Sequence, residues 1–323
     1  MKKSAAAILL SFFLATLLAG CSPDSVDDVA VEASETSNEA LDASFVENKQ
    51  LDVAYGGPWE TQKLDLYLPN EGEGPFPVIV AIHGGGFMQG DKTGKDIEPM
   101  LEGVNRGYAV AAVNYRLSGE SLFPAAISDV KAAIRYLKAN AEEYNLDPDK
   151  IAAWGSSAGG HLAALAGTSG DDNALESKNM ANASYSSDVQ AVVDWYGQID
   201  FLKIDEQFEG SGIAPKIGDR SAADSPESKF LGGSLADKAE AAEKANPETY
   251  ITENDPAFLI QHGSADPNVP VQQSIDFAEE LTKTLGEDKV EFSLFEDAVH
   301  GGEPFQSDDN LDAVFAFLDR FLK

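Results

Sequence analysis

From residue 50 onward, short apolar runs alternate with longer segments of helical periodicity. The runs at about 50–55, 63–68, 77–82, 108–114, 150–154, 190–196, 257–262 and 289–296 read as strands. The first two predict an antiparallel hairpin at a sheet edge. Over 124–144, Ile127, Val130, Ile134, Leu137, Ala141 and Tyr144 recur at alternating spacings of three and four, which is one face of a helix. Residues 271–285 predict another helix, closed by Gly286. A last helix starts near Ser307 and buries Leu311, Val314, Phe315, Leu318 and Phe321. This alternation predicts an α/β fold with an eight-stranded, mostly parallel sheet and helices on both faces.

Residues 198–248 break the rhythm. They are polar, carry Gly210-Ser-Gly212, Ser225-Pro226 and Gly232-Gly233, and fall between the sixth and seventh strands. They read as a small cap-like insertion. Phe201, Leu202 and Phe208 are its apolar candidates to face a site, and core packing of the same residues is an equal alternative. The modest size of the insertion favours an open cleft over a tunnel beneath a large lid.

The N-terminus changes the picture of where the protein works. Met-Lys-Lys is followed by an apolar run from Ala5 to Leu18 and then Ala19-Gly20-Cys21. The run is too short for a membrane span and reads as a signal peptide over 1–20. Cys21 is the only cysteine, so the fold has no internal disulfide. Leu-Ala-Gly-Cys resembles a bacterial lipobox, which implies cleavage before Cys21, lipidation of its thiol and anchorage in the cell envelope. Ser22 follows, and nothing there argues for inner-membrane retention. The rest of 21–48 is rich in Ser, Asp, Glu, Ala and Asn, with no basic residue, and reads as a disordered acidic tether. Residues 49–323 then form one catalytic domain. A net charge of −32 repels nucleic acid and sets that partner class aside.

The candidate chemistry begins at Gly155-Ser-Ser-Ala-Gly159, directly after the apolar run ending at Trp154. This is a G-x-S-x-G turn between strand and helix, the setting that exposes a nucleophilic serine, here Ser157. Upstream, His83-Gly84-Gly85-Gly86 ends a strand. The N–H groups of Gly84, Gly85 and Gly86, with that of Ala158, are candidates to hold an oxyanion, and one such donor is typically worth about 10²–10³ in turnover. Asp266 follows the seventh strand and His300 the eighth. The order Ser157, Asp266, His300 is that of an α/β-hydrolase triad. Asp200 and Asp297 are the competing acids. His83 is expected to brace its loop, His161 to be structural, and His262 to support the turn bearing Asp266. None of the four histidines has metal-ligand spacing, and no metal or cofactor is expected. Arg116 and Asp129 could tie strand to helix, or remain two solvated charges. Phe87, Met88, Trp195 and Tyr196 are candidates to shape the substrate pocket.

Longer stretches carry a family resemblance. Tyr55-Gly-Gly, Lys63-Leu-Asp-Leu-Tyr-Leu68, His83 through Lys92, Val113-Asn-Tyr-Arg-Leu117, Phe123 through Lys131, Trp154-Gly-Ser-Ser-Ala-Gly-Gly-His-Leu162, Ser225-Pro-Glu-Ser and Asp266 through Ser274 resemble the bacterial BD-FAE esterases. These are feruloyl-esterase-like relatives of the hormone-sensitive lipase group. The resemblance implies an α/β-hydrolase fold and hydrolysis of short acyl or carbohydrate-linked esters. The elbow reads Gly-Ser-Ser where the lipase group has Gly-Asp-Ser, and no aromatic residue stands two positions after His300; both departures favour the BD-FAE branch. Alternatives are an arylformamidase or other amide hydrolase, and a lipoprotein that keeps the fold only to bind. Acyl length, alcohol part and oligomeric state are not encoded in these motifs.

Overall fold

The computed structural model describes residues 40–170, 175–176 and 181–323. The expected signal peptide, Cys21 and most of the acidic tether lie outside the described residues. All eight apolar runs form strands: β1 (Asn48–Ala54), β2 (Lys63–Leu68), β3 (Phe76–Ile82), β4 (Ala109–Val113), β5 (Leu146–Ser156), β6 (Ala191–Trp195), β7 (Ala257–Gly263) and β8 (Val290–Phe295). They make one sheet in the order β1-β2-β4-β3-β5-β6-β7-β8. β1 and β2 form the expected antiparallel edge, β2 pairs antiparallel with β4, and the rest of the sheet is parallel.

The helices are α1 (Glu98–Leu101), α2 (Ala125–Ala139), α3 (Ala141–Tyr144), α4 (Ala158–Ser169), α5 (Ile204–Ser211), α6 (Pro226–Leu231), α7 (Ala239–Ala245), α8 (Gln272–Leu285), α9 (Glu303–Gln306) and α10 (Asp308–Leu322). The single helix expected over 124–144 is broken at Asn140. Its backbone N–H and its side-chain amide both donate to the Tyr136 carbonyl, at 3.0 Å and 2.7 Å, and close the end of α2. Ser307 caps α10 by accepting the Asn310 N–H.

The central strands β3, β4, β6 and β7 and the second half of β5 are apolar on both sides because helices cover both faces, whereas the edge strand β1 is largely exposed. Side chains alternate, so Val78, Val80, Ile82, Ala153, Val192, Phe258 and Ile260 face one core, shared with α2, α4 and α8. Ile79, Ala81, Ala152, Trp154, Val193, Trp195 and Leu259 face the other, shared with α10. Burying each large side chain contributes about 1.5–3 kcal/mol. Asp129 receives a two-armed pair from Arg116, at 2.8 Å and 2.6 Å, which ties the loop after β4 to α2.

One expectation needs correction, and one open alternative is decided. Residues assigned to the tether pack on the domain from Ala40 onward: Ala40 bridges Gly94, Leu41 donates to the Thr93 carbonyl at 2.8 Å, and Val46 is buried. Sparse apolar residues suffice because they meet a preformed surface. In the insertion, Phe201 and Phe208 are core residues, while Leu202 is exposed.

Candidate active site

Ser157 sits between β5 and α4 with φ 54° and ψ −120°. That conformation costs a non-glycine residue on the order of 1–3 kcal/mol and persists only where its surroundings enforce it. Here the Ser157 N–H donates to the Trp195 carbonyl at 2.8 Å, and its own carbonyl accepts from His161. The flanking glycines are steric requirements. A Cβ on Gly155 would lie 2.1 Å from the Gly159 carbonyl oxygen, and one on Gly159 would lie 2.1 Å from that of Ile82.

Asp266 follows β7 and is completely buried. Its Oδ1 accepts the N–H groups of Asn268 at 2.7 Å and Val269 at 3.0 Å. Its Oδ2 lies 2.7 Å from His300 Nδ1 and 3.2 Å from His262 Nε2. Burial alone would raise this carboxyl. His300 and His262, through charge and hydrogen bonds, outweigh burial and hold it well below the usual carboxylate range. An ionised Asp266 only accepts, so Nδ1 of His300 carries the proton and Nε2 is free to accept. Nε2 lies 2.9 Å from Ser157 Oγ. The structure therefore brings Ser157, His300 and Asp266 into one hydrogen-bonded line.

The two turns are joined as well: Ala265 donates to the Ala298 carbonyl, and Asp297 N–H to Ser264 Oγ. His262 supports the acid turn as expected, with Nδ1 on Ser274 Oγ at 2.7 Å and Nε2 on the Val269 carbonyl at 3.0 Å. Asp200 instead pairs with Lys203 at 3.0 Å and lies outside the line. Asp297 contributes its backbone to the loop that carries His300. His161 is buried, bonds the Gln198 carbonyl and stacks on Phe201; burial lowers it to about 4.

The glycine loop lies against the nucleophile. A Cβ on Gly84 would be 3.5 Å from that of Ser157. Gly84 itself is not a candidate donor, which corrects the sequence expectation: its N–H already donates to Asp96 Oδ2 at 2.8 Å. Gly85 (φ 105°), Gly86 (φ 60°) and Ala158 at the start of α4 remain as the candidates. The carbonyl of Gly85 accepts the N–H groups of Met88 at 3.1 Å and Gln89 at 3.2 Å. His83 braces the loop by stacking on Tyr115 at 4.4 Å, and the Tyr115 hydroxyl donates to the His83 carbonyl.

The pocket residues divide. Met88 is 39% exposed beside Gly86. Phe87 is wholly buried and stacks on Phe230 at 4.0 Å, so it backs the loop from the core. Trp195 also leaves the site, because strand alternation turns it to the α10 face against Trp154 and Phe305. The next residue, Tyr196 (φ 46°), lies 4.6 Å from the His300 ring. Asp96 was invisible in the sequence, since Gly94-Lys-Asp-Ile97 matches no pattern and its partner is an amide twelve residues away.

Comparison with known proteins agrees with this architecture. The BD-FAE family model matches residues 64–281. The "Probable carboxylic ester hydrolase LipM" of Mycobacterium tuberculosis is 32% identical over 71% of this chain and 51% of its own length. The chain thus spans about half the length of that curated relative. A structure described as "Truncated form of carbohydrate esterase from gut microbiota" is 27% identical with a TM-score of 0.75, covering 87% of this chain and 99% of the other. A "Bifunctional GH43-CE" chain from Bacteroides eggerthii is 34% identical with a TM-score of 0.73, covering 85% of this chain and 35% of that one. With eight strands in α/β-hydrolase order and a family match across most of the domain, this chain belongs to the BD-FAE family of α/β-hydrolases.

Proposed function

We propose that the protein is a serine carboxylesterase acting on short-chain or carbohydrate-linked esters. The observation that carries this reading is the continuous line Asp266–His300–Ser157, with contacts of 2.7 Å and 2.9 Å. Ser157 Oγ attacks the ester carbonyl carbon as its proton passes to His300 Nε2. The carbonyl oxygen becomes an oxyanion facing the N–H groups of Gly85, Gly86 and Ala158. Collapse breaks the C–O bond, and His300 returns the proton to the departing alcohol. Water then enters by the same path in reverse and releases the acid from Ser157. Asp266 remains ionised and stabilises the imidazolium.

The carbohydrate side of the proposal leans on the relative described as a carbohydrate esterase. We further propose that lipid on Cys21 anchors the domain to the bacterial cell envelope. Hydrolysis of p-nitrophenyl acetate and butyrate, acetylated xylan, methyl ferulate and N-formylkynurenine by wild type and Ser157→Ala tests the reading. Ester turnover lost in the variant supports it. Turnover of N-formylkynurenine alone would replace it with an amide hydrolase, and no Ser157-dependent turnover would leave a binding protein.

A further inference from the structure

Ser225-Pro226-Glu227-Ser228 belongs to the family-like stretches of the sequence, yet no step above uses it. Ser225 caps α6: its Oγ accepts the Ser228 N–H at 3.0 Å and donates to the Arg220 carbonyl at 2.7 Å. Glu227, in the first turn, is completely buried. A buried carboxylate needs a partner, and Arg220, itself 1% exposed, supplies one from Nη1 at 2.6 Å. The other arm of the guanidinium, Nη2, donates to the carbonyl of Asn268. Asn268 is the residue whose N–H binds Asp266 Oδ1 and leaves Oδ2 for His300.

We propose that Arg220 is a positioning residue: pinned by Glu227, it holds the Asn268 peptide and so aims the Asp266 carboxylate at His300. The inference rests on the esterase reading for its rate consequence. Arg220 is fixed from behind, since its own N–H donates to Asp205 Oδ1 at 2.8 Å. A second strap runs the same way, from the Lys216 N–H to the Pro267 carbonyl at 2.8 Å. On the opposite side, Pro226 packs over the glycine loop, 3.5 Å from where a Cβ on Gly86 would stand. The insertion thereby touches both the acid turn and the oxyanion loop.

Stability is a weak explanation for this pair. A buried ion pair can often be replaced by apolar residues without loss. The planar fork of arginine, by contrast, suits the geometry, because two acceptors must be held in fixed relative directions.

The test uses the full chain. Arg220→Met alone leaves Glu227 buried without its partner and can unfold the protein, so Arg220→Met/Glu227→Leu, which removes both charges, carries the experiment. Steady-state kinetics on p-nitrophenyl acetate, thermal melting and amide hydrogen exchange are measured on wild type, the double variant and Ser157→Ala. Small misplacements at a reacting centre can cost up to about 100-fold. We therefore expect kcat to fall about tenfold or more with KM changed less than about threefold. Exchange at Asn268 and Val269 should accelerate while that of β6 does not. A folded double variant with wild-type kcat and wild-type exchange in this turn overturns the proposal. So does a lowered melting temperature with kcat and turn exchange unaltered. If Ser157→Ala hydrolyses the ester as well as wild type, the esterase reading fails instead, and the exchange comparison alone decides the role of Arg220.

Discussion

The carboxylate of Asp96 holds the N–H of Gly84 at 2.8 Å, one residue ahead of Gly85 and Gly86, the candidate oxyanion donors. A hydrogen bond to a charged acceptor is roughly twice as strong as a neutral one. It fixes the peptide from which Gly85 and Gly86 project. Asp96→Ala should therefore lower kcat by about tenfold, less than the 10²–10³ of losing a donor outright. Asp96→Asn keeps an acceptor and should restore most of the rate. Equal rates for Asp96→Ala and wild type, in protein that melts normally, would mean the loop holds its shape unaided.

Ser157, His300 and Asp266 form one line, so their losses should not add. Ser157→Ala and His300→Ala should each be nearly as damaging as the double variant. Asp266→Asn preserves shape but leaves His300 with the wrong tautomer, and a loss on the order of 10³–10⁴ in kcat is expected. Additive effects, read from kcat of the single and double variants, would give His300 a different role.

Trp195 and Tyr196 are neighbours in sequence and both pack on Phe305, but only Tyr196 also meets the His300 ring. Trp195→Ala opens a cavity beside Trp154 and should cost about 3–5 kcal/mol of stability. Among molecules that remain folded, KM should stay near wild type. Tyr196→Ala, which also removes a buried ring, should change kcat or KM in the molecules that remain folded, as Trp195→Ala does not. Urea melts set beside steady-state kinetics on both variants check this, and the reverse pattern would contradict the placement.

Asp194 is completely buried, and burial pushes its carboxyl up to about 6, against the pull of the Gly197 N–H. The folded state thus favours the protonated acid more than the unfolded chain does. The stability linked to this group is full below about 4 and is lost as pH rises through about 6, an effect of about 3 kcal/mol. Asp194→Asn should flatten the rise in instability between pH 4 and 7 measured by urea unfolding. An unchanged slope would show that the carboxyl ionises without penalty.

Cys21→Ala should move the protein from the membrane fraction to the soluble one with specific activity unchanged. The catalytic domain contains no cysteine, and a lipid would act only as an attachment. Mass spectrometry of the wild-type N-terminus reads the outcome directly, and an unlipidated Cys21 would refute the anchor.

The central strands were legible because each is an apolar run buried from both faces, and the edge strands β1 and β8, which are largely or partly exposed, because they alternate or continue the same rhythm. Ser157 was legible because the elbow needs glycines at fixed positions, 2.1 Å from backbone oxygens that exclude any Cβ. Asp266 and His300 were legible from their places after β7 and β8. Tertiary structure decided the rest. The break at Asn140 is marked by a side chain that shares the Tyr136 carbonyl with its own backbone N–H, which apolar periodicity does not record. Phe87 and Trp195 are apolar residues beside site motifs, and only strand direction and loop geometry turn them into the core. The donation of the Gly84 N–H to Asp96 and the grip of Arg220 on Asn268 join segments distant in sequence through backbone atoms. Every residue carries those atoms, so no choice of residue types along the chain announces such contacts.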